Sequence, residues 1–413
     1  MKLRRIKILA LFLVSPLLYA PDSAAEYTLE KSLSVKEEYN DNIFLSETNR
    51  QEDFITTITP SFKLAYHVPW IELAFDYGLN FRLYADHTDQ NETSLNRTQE
   101  AKFDTMLSLY KEMLFLRVSD EYSRVALDQR EKIALGNILV NMTDRNYFGF
   151  NPFVQYPLTG TVNARASYTY VNKWYRDNPE SDLFDHTLDV SITKEFSERV
   201  SSTVSYNYLF HRPELFLDRY NNQNATLGFQ YQVTPKLLFA GMGGYSWFDY
   251  EAGHSSSTTI WNASAKYLLT STAAVSAAYH ETFGTAVLSG TFKQKSGSVS
   301  LDYTGTIPFT LTFLKNTDTY EVIDRSDDGY GAVLSSVFQL SPRLSGSFLT
   351  NYTHYKFLPE GNETDRVGAG LSLTYVTKVT NVSFGYTYNL TDATQAGGSF
   401  RNNIIWARAG LTF

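Results

Sequence analysis

The sequence predicts an all-β chain: a transmembrane, antiparallel, up-and-down β-barrel of about twenty strands, with eighteen as the alternative count, behind a cleaved signal peptide. Three observations carry this reading. An export-type leader precedes a chain with no later apolar run of helical length. Long segments alternate apolar and polar residues. Turn signals recur at nearly even intervals.

In the leader, Lys2, Arg4, Arg5 and Lys7 form a positive region, residues 8–18 an apolar one, and Ser23-Ala24-Ala25 supplies small residues for cleavage. The apolar run is too short to cross a bilayer as a helix, which takes about 20 residues. Residues 1–25 are therefore expected to be removed, and residues 26–413 to form one barrel domain beginning at Glu26. Pro21 makes cleavage after Ala20 the poorer option. The chain has no cysteine, which excludes a lipoprotein anchor, disulfides, thiolate metal sites and a cysteine nucleophile. Charged residues are only 19% and aromatics 15%, with 29 Tyr and 28 Phe. The mean hydropathy of −0.28 is not that of a helical membrane protein, because alternation hides an oily face from averages.

Taken in order, Phe54, Ile58, Phe62, Leu64 and Tyr66 share a strand face. Residues 71–86 give the clearest strand. Ile71, Leu73, Phe75, Tyr77, Leu79, Phe81, Leu83 and Ala85 alternate with Glu72, Asp76, Asn80, Arg82 and Asp86. Successive side chains point to opposite faces, so one face is oily and the other charged. The alternation outlasts a soluble strand of about 5–6 residues and suits an oblique bilayer crossing of about 9–11. Further alternating sets follow within residues 162–174, 188–196, 204–210, 225–233, 367–375 and 382–390. Gly241, Gly243 and Gly244 blur the faces of residues 237–250, and residues 288–303 alternate weakly.

Turn signals stand at Val68-Pro69-Trp70, Lys111-Glu112, Pro157-Leu158-Thr159-Gly160, Ser197-Glu198-Arg199, Thr234-Pro235-Lys236, Ser271-Thr272, Gly305-Thr306-Ile307-Pro308, Ser341-Pro342-Arg343 and Thr377-Lys378. Past residue 198 they recur about every 36 residues, room for two spanning strands, a tight turn and a longer loop. Nine such turns, with both termini on the turn side, make twenty strands. Longer polar connections are expected at residues 87–97, 176–182, 251–257, 321–328, 359–363 and 391–399. The longest, residues 126–145, carries Ile133, Leu135, Ile138, Leu139 and Val140. That is too apolar for a loop in water, so it either folds into the barrel and narrows it or extends the strands above the membrane.

A closed barrel leaves no unpaired edge in hydrocarbon. A soluble sandwich would have to cover its oily faces. Trp70, Tyr110, Tyr122, Tyr156, Trp174, Tyr231, Trp247, Tyr267 and Phe283 fall near strand ends, where interfacial girdles form. At the end of the chain Ile405, Ala407, Ala409, Leu411 and Phe413 alternate. Leu411 and the terminal Phe413 resemble the carboxyl-terminal signal by which the insertion machinery reads bacterial outer-membrane barrels.

The face opposite the lipid supplies the candidate pore lining: Glu72, Asp76, Asn80, Arg82, Lys102, Asp104, Arg117, Glu121, Arg165, Asp189, Lys266 and Arg408. Its signs nearly balance, so strong ion selectivity is not expected. Beyond residue 200 the lining turns to Asn, Gln, Ser and Thr, such as Asn207, Asn222, Asn224 and Gln230, groups that hydrogen-bond water or sugar hydroxyls. The seven histidines are dispersed and sit in no nucleophile or metal motif, so the chain reads as no enzyme, without a cofactor. Residues 37–42, Glu-Glu-Tyr-Asn-Asp-Asn, offer oxygen ligands but no complete calcium loop; a strand end entering a polar loop is the simpler reading.

Glu38-Tyr39-Asn40-Asp41-Asn42-Ile43-Phe44, then Asp53-Phe54-Ile55-Thr56 and Thr59-Pro60-Ser61-Phe62-Lys63-Leu64, resemble the opening of an outer-membrane β-barrel, porin-like family. That family accompanies PEP-CTERM/exosortase exopolysaccharide gene clusters. The match is specific over about residues 36–66. The resemblance implies an outer-membrane barrel of a Gram-negative bacterium, associated with exopolysaccharide export. The expected function is a channel with a polar lumen; the alternatives are a general diffusion porin and a structural or surface-attachment barrel with a plugged lumen. The expected partners are outer-membrane lipid and lipopolysaccharide, the insertion machinery through the last strand, and periplasmic polysaccharide-export components, with no nucleic acid.

Overall fold

The computed structural model describes residues 26–214, 219–320 and 323–413. The expected signal peptide lies outside the described residues, as do residues 321–322 of one predicted connection. The chain is built almost wholly of strands: β1 (Glu26–Asn40), β2 (Asp53–Val68), β3 (Ile71–Leu79), β4 (Phe81–Tyr84), β5 (Gln99–Tyr110), β6 (Leu114–Ala126) and β7 (Met142–Thr159). Then come β8 (Val162–Tyr175), β9 (Leu183–Ser197), β10 (Val200–Pro213), β11 (Tyr220–Thr234), β12 (Leu237–Tyr250), β13 (Ser255–Leu268) and β14 (Ala273–Ala286). The last are β15 (Gly290–Tyr303), β16 (Phe309–Tyr320), β17 (Ser326–Ser341), β18 (Leu344–Leu358), β19 (Asn362–Val376), β20 (Thr380–Ala393) and β21 (Phe400–Thr412).

These close into one antiparallel barrel. β1 pairs β2 on one side and β21 on the other, the latter from Ser32↔Thr412 to Asn40↔Ile404. β3 and β4 lie end to end along β2 and count as one stave, which gives twenty. The predicted count stands and the alternative of eighteen falls. The continuous strand expected over residues 71–86 is broken at Asn80. Its N–H leaves the ladder for Thr98 O at 2.7 Å. Above it the neighbour is no longer β5 but the returning loop, whose Glu92 bridges Arg82.

All nine predicted turns fall between paired strands, at the end that also holds Glu26 and Phe413. The third signal begins early, since β7 runs on to Thr159. Several predicted loops shrink because strands project past them: the connection expected at 359–363 is only 359–361, and that at 251–257 only 251–254. The blurred glycines of β12 clear space for neighbouring rings. A Cβ on Gly243 would stand 2.5 Å from the Trp261 ring, and one on Gly241 2.9 Å from Phe229. Of the predicted girdle, Trp70, Tyr110, Tyr156, Trp174, Tyr231, Trp247 and Tyr267 are exposed. Tyr122 and Phe283 depart from it. The Tyr122 hydroxyl bonds Asp144 at 3.3 Å and meets Arg176, and Phe283 packs on Phe248 with ring centres 4.5 Å apart.

A barrel that spans a membrane has no conventional core, yet buried apolar side chains are numerous at one place. Ile43, Leu45, Tyr84, Tyr175, Tyr220, Tyr250, Tyr320, Phe357, Phe400 and Ile404 are all buried. Each lies at or just beyond the loop-side end of its strand. A smaller patch, Val68, Ile71 and Leu73, sits beside the first tight turn.

Candidate functional site: the loop-side mouth and the chamber beneath it

Residues 127–141, the connection between β6 and β7, fold inward at the loop-side mouth and pack against β19, β20, β21 and the β1–β2 connection. Of the two expectations for this segment, the inward fold is the one found. Its backbone is read by side chains on β19 and β20, and its own side chains reach the backbone of the β1–β2 connection. Leu135 N–H donates to Asn389 Oδ1 (2.9 Å) and Leu135 O accepts from Asn389 Nδ2 (3.0 Å), so one amide caps both groups of one residue. The half-buried Arg366 donates to Gln129 O (2.5 Å) and Glu131 O (2.9 Å). Asn137 Nδ2 donates to Ile43 O (2.7 Å) and Lys132 Nζ to Leu45 O (2.7 Å). Gly136 turns the tip with φ of +81°, a region open to glycine, and a Cβ there would stand 3.2 Å from Ile404.

An ion cluster holds the other flank. Asp327, 1% exposed, accepts from Arg130 (2.9 Å) and from Arg325 (2.7 Å). Arg325 also reaches Asp128 (3.2 Å), and Arg130 reaches Glu360 (2.9 Å) and Leu358 O (2.8 Å). Burial alone would lower the Arg325 pKa; the bond to Asp327 and the charge of Asp128 outweigh it, and the guanidinium is held above its ordinary value. Two residues of this loop, Asp128 and Arg130, thus join a network anchored on the start of β17 and the end of β18.

The motif Asn40-Asp41-Asn42 forms the closure seam at the same level. Asn402 Nδ2 donates to Asn40 Oδ1 (2.5 Å), Asn389 Nδ2 to Asn402 Oδ1 (3.2 Å), and Asn42 Nδ2 to Arg401 O (2.9 Å). Asp41 takes Asn403 N–H (2.7 Å). Residues 37–40 end β1 and residues 41–42 enter the connection that follows, as the strand-end reading expects. The connection 41–52 was not among the expected long loops, although it buries Ile43 and Leu45. Asn402→Ala is expected to cost about 1–3 kcal/mol, because it strips buried partners from Asn40 and Asn389; urea unfolding in phospholipid vesicles measures it.

The candidate lining residues are distributed around the wall. Asn80, Arg82 and Arg408 share a cavity of about 270 Å³ under Gly136, Asn137, Ile138 and Leu139. Arg82 pairs with Glu92 at 2.7 Å, and Asn80 accepts from Thr59 at 2.9 Å. The others stand apart. Arg117 pairs with Asp104 (2.8 Å), Glu121 with Arg145 (3.1 Å), and Glu72 faces His67 (3.6 Å). Asp76 stands in register between Lys63 and Lys102, Asp189 between Ser167 and Asn207, and Lys266 opposite Ser276. The Arg165 guanidinium lies 4.4 Å over the Phe153 ring. Sequence reading missed the clamp residues Asp327, Arg325 and Asn389. Leu411 is exposed opposite Leu33, and Phe413 N–H donates to Lys31 O at 2.9 Å.

No family model and no curated protein sequence matches this chain. Solved structures do. A point mutant of the ferric enterobactin receptor PfeA of Pseudomonas aeruginosa is 9% identical with a TM-score of 0.53, over 95% of this chain and 81% of that one. The siderophore receptor PirA of Acinetobacter baumannii is 8% identical with a TM-score of 0.51, over 93% and 80%. At such identity the likeness is one of fold, and the architecture of this chain is that of an outer-membrane β-barrel.

Proposed function

We propose that this chain is an outer-membrane channel whose polar lumen passes an exopolysaccharide outward, with the mouth kept shut by residues 127–141 until periplasmic export components engage it. The observation that carries this reading is the inward loop latched by Asn389, Arg366 and Asp327. A general diffusion porin needs a standing opening, and such a latch works against one. The charged and amide side chains named above line the path, and Leu411 with Phe413 serve the insertion machinery in a lipopolysaccharide-bearing membrane. The export role and the PEP-CTERM association rest on the resemblance of residues 36–66.

A structural barrel with a plugged lumen draws on the same latch and is the second reading. Planar bilayers separate the two. An exporter is closed alone and conducts when the latch is broken; a structural barrel stays silent in both states; steady current from the unmodified protein means a porin. Deleting the gene is expected to abolish extracellular polymer, and unchanged secretion removes the export reading.

A further inference from the structure

In register across β21, β1, β2 and β4, Arg408, Lys36, Thr57 and Arg82 form one row facing the chamber under the loop. Like charges directly opposite one another, as Arg408 and Lys36 are, destabilise a sheet. Two of the three cations have an answer on the protein: Lys36 pairs with Glu38 and Arg82 with Glu92. Arg408 donates one hydrogen bond, to Ser34 Oγ at 2.9 Å, and has no carboxylate partner among the described residues. A guanidinium carries five N–H donors, so most of its capacity is turned toward the chamber. Beyond Arg82, on the neighbouring stave β5, Glu100 lines the same space and has no ion pair among the described residues.

We propose that this chamber is a binding site for a carboxylate-bearing saccharide unit, a uronate, with its carboxylate on Arg408 and its hydroxyls on Glu100. A guanidinium takes a carboxylate in a two-point, charge-assisted bond, and an ionised carboxylate offers only acceptors, which suits hydroxyl donors. A simple anion satisfies Arg408 and leaves Glu100 facing nothing it can accept. A neutral sugar leaves Arg408 without a counter-charge. At about 270 Å³ the space falls just under the range of ~300–1,000 Å³ for drug-sized ligands, so it holds a single unit and not a chain. The proposal rests on the lumen being the solute path and names the chemistry of that solute.

The test is a titration of the purified full-length barrel in detergent with D-glucuronate, D-glucose and acetate, followed by calorimetry and tryptophan fluorescence. Lys36 Nζ lies 5.6 Å from the centre of the Trp406 ring, so occupancy beside Lys36 reports optically. Glucuronate is expected to titrate saturably and to bind about tenfold more weakly to Arg408→Gln. Glu100→Gln is expected to keep acetate binding and to lose the preference for glucuronate over acetate. Equal response to acetate or glucose, no response to glucuronate, or an Arg408→Gln protein that titrates like the wild type each overturns the assignment. Should Arg408→Gln not fold, judged by heat-modifiable gel mobility, the Glu100→Gln preference decides. Binding in detergent is independent of polymer secretion, so failure here and failure of the export reading are separately visible.

Discussion

Asp327→Ala is expected to open the mouth: a barrel silent in planar bilayers becomes one with steady current. Asp327 is nearly inaccessible and takes both Arg130 and Arg325. Removing one partner from a buried ionic network costs about 3–5 kcal/mol, since the remaining charges stay where water does not reach them. Here that cost has an outlet. Arg130 belongs to the loop and can leave the lumen for solvent, so the penalty falls on the closed state. A loop seated 99% of the time is held by about 2.7 kcal/mol, half of the ~5.5 that separates 1:99 from 99:1. Losing Asp327 exceeds this. Asn389→Ala removes, besides its bond to Asn402, the two neutral hydrogen bonds to the loop, about 0.5–1.5 kcal/mol each, so it is expected to give flickering openings. Current in neither variant would favour the structural barrel with a plugged lumen over the exporter.

The twenty staves were legible because a membrane imposes a rule that each segment obeys locally. A strand long enough to cross, ended by Pro, Gly or a charged pair, looks the same at Val68-Pro69-Trp70 as at Ser341-Pro342-Arg343. The latch obeys no local rule. Asn389 meets Leu135 across 254 positions and Arg130 meets Asp327 across 197. Nothing near Asn389 distinguishes it from other asparagines at strand ends. The five apolar residues between 133 and 140 marked a segment that would not stand free in water, but left inward folding and strand extension equally open. Ile43 and Leu45 gave too short a signal, two residues in a polar stretch, so the second segment over the mouth was missed. Asn80 illustrates a third limit. Parity placed it in the lining, while the break in the strand there depends on how far β5 reaches.

Leu227→Arg should impair insertion where Gln230→Arg, three residues away on β11, should not. Leu227 is 58% exposed and sits opposite Val204, itself 59% exposed, on the neighbouring stave. Two bare apolar side chains facing each other across a ladder are costly in water and at rest in lipid tails. An arginine on a lipid face costs about 2–4 kcal/mol at mid-membrane depth. Gln230 has the opposite parity, and an arginine there enters a hydrated lumen. It is expected to leave urea unfolding in vesicles unchanged and to shift the reversal potential of the opened channel toward anions. The comparison tests the assignment of faces, because both variants add the same side chain to the same strand. Equal losses of stability would place both positions in one environment, and no barrel with a lipid-facing and a water-facing side can do that.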